Sequence, residues 1–300
     1  MLSLLDTRTS HFAGLRASGA WALRFPPPEG IKFNAVVEGR CLLTVGEQAP
    51  VELHCGDCFL LTQPLPFHLA SEVGLPSIDA VPFFRAAEAG IARIGEPCAD
   101  ELLLIGGRFD FGAEATLLFD GLPSVVIVRS DSTGASVLRW SLQLLAQELS
   151  GPAPGTTLMA RQLGQMMLVQ VLRTHIAAQR DDTRGWLFAL SDRRINSAIA
   201  AMHADPARRW SVHELAALAG ASRSSFALRF KQKVGLSPLE YLLRWRMLLA
   251  ARALARQELT VSAIGQSLGY DSDSAFSNAF KRVTAQSPRD YRSTVLARPG

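Results

Sequence analysis

Two sets of side chains in this sequence share one spacing, and their chemistry suits a polyanion. Arg223, Ser224, Ala227, Leu228 and Lys231 form the first set; Asp273, Ser274, Ser277, Asn278 and Lys281 form the second. Steps of one, three and four residues put each set on one face of a helix. Helix N-termini, serine hydroxyls and Lys or Arg suit phosphates, whereas an asparagine such as Asn278 can read an adenine edge through paired hydrogen bonds. A third constellation, His54-Cys55-Gly56-Asp57-Cys58 with His68, offers imidazole and thiolate groups that zinc or an oxidant could use. The same spacing also arises from a plain β-turn at Gly56-Asp57 with small apolar residues on either side. Both readings stay open at this stage.

The two matching sets must be carried by matching elements, and the chain contains an internal repeat. Val212, Leu215 and Gly220 recur as Val261, Ile264 and Gly269 at an offset of 49. After one inserted residue, Phe226, Phe230, Lys231, Ser237, Pro238 and Tyr241 recur as Phe276, Phe280, Lys281, Ser287, Pro288 and Tyr291 at an offset of 50. Duplication of one supersecondary unit is the simplest account. Each copy reads as a short helix, a glycine turn, a longer helix and a Ser-Pro stop. Ser211 with Glu214 forms a capping box, and Ser222 caps the second helix. Leu215, Leu218, Phe226 and Phe230 are expected to form one small core, with Ile264, Leu268, Phe276 and Phe280 the other. The unit is a helix-turn-helix, at about 212–233 and 261–283, whose second helix can lie in the DNA major groove.

Charge follows the same division. Residues 192–300 carry 17 Lys and Arg against 8 Asp and Glu, a net of +9, within a chain whose total is +4; residues 1–191 are therefore at −5. A basic third on an acidic body points to a polyanion partner for that third alone. Before it, short β-rich runs separated by turns extend to about residue 128: Ile31–Val37, Arg40–Val45, Val51–Cys55, Cys58–Thr62, Leu102–Gly106 and Val125–Val128. Two helices follow, one with Val137, Leu138, Leu142, Leu145 and Leu149 on a face, the other over roughly Thr157–Gln179. They either cover the sheets or present a self-association surface. The expected fold class is α+β with two domains: an antiparallel sandwich or barrel plus two helices, then an all-α tandem helix-turn-helix. The expected boundaries are 1–129 for the β domain, 130–179 for a helical dimerisation segment, 180–192 for a linker and 193–296 for the DNA-binding domain. No run approaches the ~18–20 apolar residues of a membrane helix, and the N-terminus lacks a signal-peptide pattern. A cytoplasmic location with four free thiols is expected.

The C-terminal residues carry a resemblance. Leu215 to Lys231, Gly235-Leu-Ser-Pro-Leu-Glu-Tyr-Leu242, Trp245-Arg-Met247, Ile264-Gly-Gln-Ser-Leu-Gly-Tyr270, Phe276 to Lys281 and Gln286-Ser-Pro-Arg-Asp-Tyr-Arg292 resemble the DNA-binding domain of AraC/XylS-type transcription regulators. That resemblance implies a long helix over about Pro238–Ala255 between two helix-turn-helix units that enter successive major grooves. Members often have Arg where this chain has Leu228 and Asn278, and Gly at Ala285. Phe33–Leu43, Gly56–Leu61, Pro64–His68 and Gly106-Gly-Arg-Phe109 resemble a cupin-type sensor domain. The histidines of a catalytic cupin's first motif are absent from Ile31–Gly39, and His68 stands alone in the second. The resemblance thus implies a sequence-specific regulator, not an enzyme, with no cofactor. Its implied partners are double-stranded promoter DNA, a small-molecule effector and a second copy of the chain, with RNA polymerase left open. A regulator responding to redox state or metal through Cys55 and Cys58 is the alternative, and a cupin enzyme fused to a DNA-binding module a remoter one.

Overall fold

The computed structural model describes residues 9–85, 87, 90–98, 100–110, 119, 122–132, 134–151, 153–178, 192–256 and 258–296. They divide into two compact units, one with the described residues of 9–110 and 122–178 and the other with 119 and those of 192–296.

The first unit is a pair of sheets. One has the strand order β11(Val125–Val128), β6(Cys58–Leu61), β3(Ile31–Glu38), β10(Leu102–Asp110), β1(Thr9–Ala17), β9(Ile91–Ile94). The other runs β5(Val51–His54), β4(Arg40–Val45), β7(Phe67–Ala70), β2(Ala22–Phe25), β8(Ile78–Asp79). Side chains alternate between faces, so Leu15, Val36, Phe59, Leu61 and Leu104 of the first sheet meet Leu23, Leu43, Phe67 and Leu69 of the second in a common core. The sheets are mostly antiparallel. The exceptions are the edge strands β9 and β8, which lie parallel to β1 and β2. A short helix α1(Val81–Arg85) stands between them in sequence.

Two longer helices, α2(Ala135–Ser150) and α3(Thr156–Ala178), pack on each other and on the outer face of the first sheet. Gly151-Pro152-Ala153-Pro154-Gly155 separates them because proline supplies no helical N–H donor. Leu138, Leu142 and Leu145 are buried as the spacing predicted, but Val137 is exposed and turned away from them. One aromatic ring joins helix to sheet. Phe12 on β1 lies where a side chain on Gly107 or Gly164 would stand: an added Cβ would come within 2.4 Å of the ring at Gly107 and 2.1 Å at Gly164. Only glycines on both sides leave room for it.

The second unit is helical: α4(Arg193–Ala204), α5(Val212–Leu218), α6(Arg223–Val234), α7(Pro238–Arg256), α8(Val261–Ser267), α9(Asp273–Thr284) and α10(Pro288–Leu296). Asp192, placed at the end of the expected linker, is the N-cap of α4, accepting from the N–H groups of Arg194 and Ile195. The remainder of that linker, 180–191, lies outside the described residues. Helix α7 serves both repeats. Its first half brings Tyr241 against Phe230, at 5.8 Å between ring centroids, and Trp245 onto His203, at 3.5 Å. Its second half brings Met247, Ala250, Ala251 and Leu254 into a core with Ile264, Phe276 and Phe280. His203 also shares a 2.8 Å hydrogen bond with the Tyr241 hydroxyl, and burial pulls its pKa down to about 3. It is neutral at physiological pH. No helix of the described residues is long and apolar enough to cross a membrane.

Candidate nucleic-acid interface

The duplicated residues make duplicated contacts. Phe226 and Phe230 sit 5.5 Å apart and Phe276 and Phe280 5.9 Å apart; Phe230 meets Tyr241 edge-on at 5.8 Å, and Phe280 meets Tyr291 the same way at 5.5 Å. Each first helix ends in the same bonded turn. Ala221 N–H donates to Ala216 O and Gly220 N–H to Ala217 O in one copy; Tyr270 N–H donates to Gly265 O and Gly269 N–H to Gln266 O in the other. Both glycines adopt the left-handed conformation this ending requires, with φ of 60° and 81°. Each second helix then starts on a serine, Ser222 accepting from Ser225 N–H and Ser272 from Ala275 N–H.

These phenylalanines fix which faces are left to solvent. With Phe226 and Phe230 buried, Arg223, Ser224, Leu228 and Lys231 of α6 are exposed and Ala227 is half-buried. With Phe276 and Phe280 buried, Asp273, Ser274, Asn278 and Lys281 of α9 are exposed and Ser277 is half-buried. Leu228 is 61% exposed. The expected core of the first copy loses one member: Leu218 is 49% exposed and aligns with Ser267 of the second copy, whereas the buried Leu268 aligns with Ala219, which is buried too. Arg229, one step off the face, is engaged elsewhere, its Nε donating to Asp192 Oδ2 at 2.7 Å and so tying α6 to the start of α4.

A bracket of polar contacts aligns the two copies. Arg246 on α7 donates to the carbonyls of Pro206, Ala207 and Arg208 at 2.6, 3.3 and 2.9 Å, and its guanidinium lies over the Tyr270 ring. Arg209 pairs with Asp271 just before α9. At the start of α5, the Ser211 hydroxyl and backbone N–H together with Arg208 hold Glu214 down at a pKa of about 2, so the capping carboxylate is charged at all ordinary pH values.

Beside the second recognition helix lies a groove of about 520 Å³. The N-cap residues Thr260 and Ser287, with Ser262, Ser277, Arg289 and Arg292, face it. Arg292 donates through Nη2 to Leu259 O at 2.7 Å, while its buried Nε has no partner among the described residues. Hydroxyls, two arginines and the start of α10 suit a phosphate, against which stands the Asp273 carboxylate that also lines the groove. Sequence reading took Arg289 and Arg292 only as part of a motif; the available signal was their position directly after a helix-starting Ser-Pro.

Turn chemistry gives a direct test of the repeat. The C-cap of α6 is Gly235 with φ of 87°, but the equivalent cap of α9 is Ala285 with φ of 62°. Left-handed backbone strains a residue with a Cβ. Ala285→Gly is therefore expected to raise stability by about 1 kcal/mol, checked by chemical unfolding of the intact chain. No gain would mean that the turn is not left-handed.

The cysteine and histidine constellation is not assembled. His54 is exposed on the outer face of its sheet, 3.6 Å from Glu52. Cys55 is exposed and donates its thiol proton to Val37 O at 2.9 Å. Cys58 is buried on the helix-facing side of the other sheet, where burial and the nearby Asp57 charge push its thiol up to about 12. Such a thiol stays protonated and is a poor nucleophile. His68 faces outward between Arg24 and Thr44. Alternation within two different sheets separates what the linear spacing suggested, and among the described residues no three His, Cys, Asp or Glu form a group that could hold a metal ion.

Comparison with known proteins bears on both units. A family model described as a cupin matches residues 1–177, and one described as a helix-turn-helix domain matches residues 215–294. A putative AraC-like transcription regulator of Streptomyces lividans is 46% identical over 294 residues, which are 97% of this chain and 96% of that protein. The HTH-type transcriptional regulator AlkR of Acinetobacter baylyi is 30% identical over 290 residues, 94% of each. Among solved structures, the DNA-binding domain of AdpA in complex with a target DNA aligns at 30% identity over 34% of this chain and 92% of that one, with a TM-score of 0.33.

Proposed function

The chain belongs to the AraC-type DNA-binding transcription regulators with an N-terminal cupin domain, and from that premise we propose that it reads a promoter through both second helices, α6 and α9, and is controlled through its first unit. It is a regulator and not an enzyme. The observation that carries the reading is the pair of bonded turns with their phenylalanine cores, which leave two equivalent helix faces exposed. On this proposal Lys231, Lys281, Arg223 and the serines 224, 274 and 277 hold phosphates. Asn278 reads a base edge, and Ala227 and Leu228 offer apolar contact of the kind a thymine methyl accepts. Asp273 strengthens the N-terminus of α9 but repels phosphate, which favours its facing a base.

A gel-shift series in rising salt, with duplex from upstream of the chain's own gene, tests this. Lys281→Ala should weaken binding to all duplexes alike and make the salt slope shallower by about one. Asn278→Ala should relax preference at one base position, by about 1–3 kcal/mol. Binding no tighter than to a scrambled duplex would sink the proposal.

Control through the first unit requires two states that an effector distinguishes. The outer face of the helix pair supports pairing of two copies: Val137, Trp140, Leu158, Met159 and Met166 are all exposed there, Trp140 at 55%. Trp140→Glu should shift the sedimenting species from dimer to monomer and weaken binding to a two-site operator. An unchanged sedimentation coefficient in that variant would remove this face from consideration.

A further inference from the structure

The two copies of the repeat part company at one position of the second helix. At the offset of 50 that relates the phenylalanines, Arg229 of α6 corresponds to Ala279 of α9. Ala279 is half-buried against the apolar core that α7 shares with the second copy. Arg229 turns to a charge instead, its Nε donating to Asp192 Oδ2 at 2.7 Å. This edge of the reading helix is thus held by packing in one copy and by an ion pair in the other.

The helices that lead into the two copies differ in the same sense. The second copy follows α7, which runs unbroken from Pro238 to Arg256 and contributes side chains to the cores of both copies. The first copy follows α4, which starts at Asp192, where the chain arrives from residues 180–191. Helix α4 rests on α5, to which Ser197 Oγ adds a bond at Leu218 O of 3.1 Å, and α5 rests on α6. The Asp192 side chain links the start of α4 to α6 directly.

Asp192 has the chemistry for this. Its Oδ1 accepts from Arg194 N–H at 3.1 Å and Ile195 N–H at 3.4 Å while Oδ2 takes Arg229, so one carboxylate both begins α4 and grips α6. The carboxylate side chain is only 10% exposed, which screens the pair less than a surface pair is screened. Burial raises its pKa, but the bond from Arg229 and those from the two N–H groups outweigh that and hold the carboxyl below its ordinary value. The pair is charged at neutral pH. Arg229 lies about 100° round the helix from Leu228, so its grip on Asp192 sets how the face carrying Leu228 is turned.

We propose that Asp192 and Arg229 are positioning residues for base reading by α6 alone, fixing the turn of that helix against α4, while α9, held through α7, reads independently of them. The proposal rests on the reading of α6 and α9 as the two DNA-reading helices and adds which groups orient the first.

A positioning role predicts a change in what is read. Asp192→Asn keeps an oxygen to cap α4 and loses the charge; Arg229→Met keeps an apolar stem and loses the donor. These variants and their combination would be made in the full chain and tested on a duplex that the parent selects from a random pool, and on two derivatives with one read stretch scrambled in each. Replacing Ser224 and Leu228 together by alanine, or Ser274 and Asn278 together, shows which stretch belongs to α6 and which to α9. In Asp192→Asn and in Arg229→Met the affinity penalty for scrambling the α6 stretch should shrink about fivefold. The penalty for the α9 stretch should stay, and the combined variant should lose no more than either single one. Each penalty is a ratio of affinities measured on one protein, so a misfolded fraction cancels from it. Equal shrinkage of both penalties, no shrinkage of either, or additive losses in the combined variant would overturn the proposal. A parent that selects no sequence at all would overturn the reading of α6 and α9 and this proposal with it, a result distinct from the others because no penalty then exists to shrink.

Discussion

Gly269→Ala is expected to destabilise the C-terminal unit by about 3–5 kcal/mol, whereas Gly220→Ala, at the same position of the first repeat, should cost only about 1–2 kcal/mol. Both residues close the first helix of a helix-turn-helix with positive φ, so each substitution carries the strain of a left-handed L-residue. They differ in surroundings. A Cβ on Gly220 meets nothing within 4 Å, but one on Gly269 would lie 2.1 Å from the carbonyl oxygen of Ala207. That carbonyl cannot simply retreat, because Arg246 holds it together with its neighbours at Pro206 and Arg208. Admitting the methyl group means giving up part of that charge-assisted set. Urea unfolding of the two variants, followed by helical circular dichroism, measures the difference. Equal costs would mean that the 206–208 segment does not rest on the second turn. The functional consequence lies in geometry: Gly269 and Arg246 hold the 206–208 segment, which leads into the first copy, against the turn of the second, so Gly269→Ala should lose duplex affinity even at temperatures where it remains folded.

The asymmetry between these two glycines marks where the sequence stops informing. The repeat itself was legible because its residues serve the same local contacts in both copies: Phe226 with Phe230, Phe276 with Phe280, a glycine for each turn, a serine for each cap. What each copy touches beyond itself left no periodic trace. Leu218 reads as core by spacing, yet no element covers it. In the first unit the strands absent from the sequence reading are β1, β2, β7, β8 and β9, and on β1 the pattern is set by two neighbours at once. On β1, Phe12 faces α3 while Leu15 faces the other sheet, so no simple apolar alternation survives over Thr9–Ala17. Strands β8 and β9 are held as parallel edges by pairing with β2 and β1, distant in sequence, and nothing in their own residues announces it. Within the expected strand Ile31–Val37 nothing marks the side Lys32 takes; the register with Gly106 and Arg108 turns it inward.

Asp57→Ala should cost the N-terminal unit about 3 kcal/mol, the largest loss expected from any single polar side chain there. The sequence offered Asp57 only as a turn residue between two cysteines. In the structure its carboxylate is buried and accepts three bonds: from His54 N–H at 3.1 Å, from Arg129 Nη1 at 2.8 Å and from Ser130 N–H at 2.8 Å. Burial raises its pKa, but the bonds from Arg129 and the two backbone groups outweigh that and hold the carboxyl below its ordinary value. Because the folded pKa is the lower one, the stabilisation is complete above about pH 4 and is lost as pH falls through the folded value. In Asp57→Ala, Arg129 returns to solvent, being half-exposed already, while the His54 and Ser130 N–H groups lose their acceptor inside the fold. Asp57→Asn keeps one acceptor and should lose about half as much. Thermal melts at neutral pH and at successively lower pH test both parts: the gap between the variants and the parent should be full at neutral pH and should narrow as pH falls through the folded value. A gap that does not narrow before the parent itself unfolds in acid would show that the carboxylate charge is not what holds the turn. Since Ser130 lies just ahead of α2, freeing it also loosens the anchorage of the helix that carries Trp140. Self-association should therefore weaken in Asp57→Ala before unfolding begins, while duplex binding by a single C-terminal unit, which shares none of these contacts, should not change.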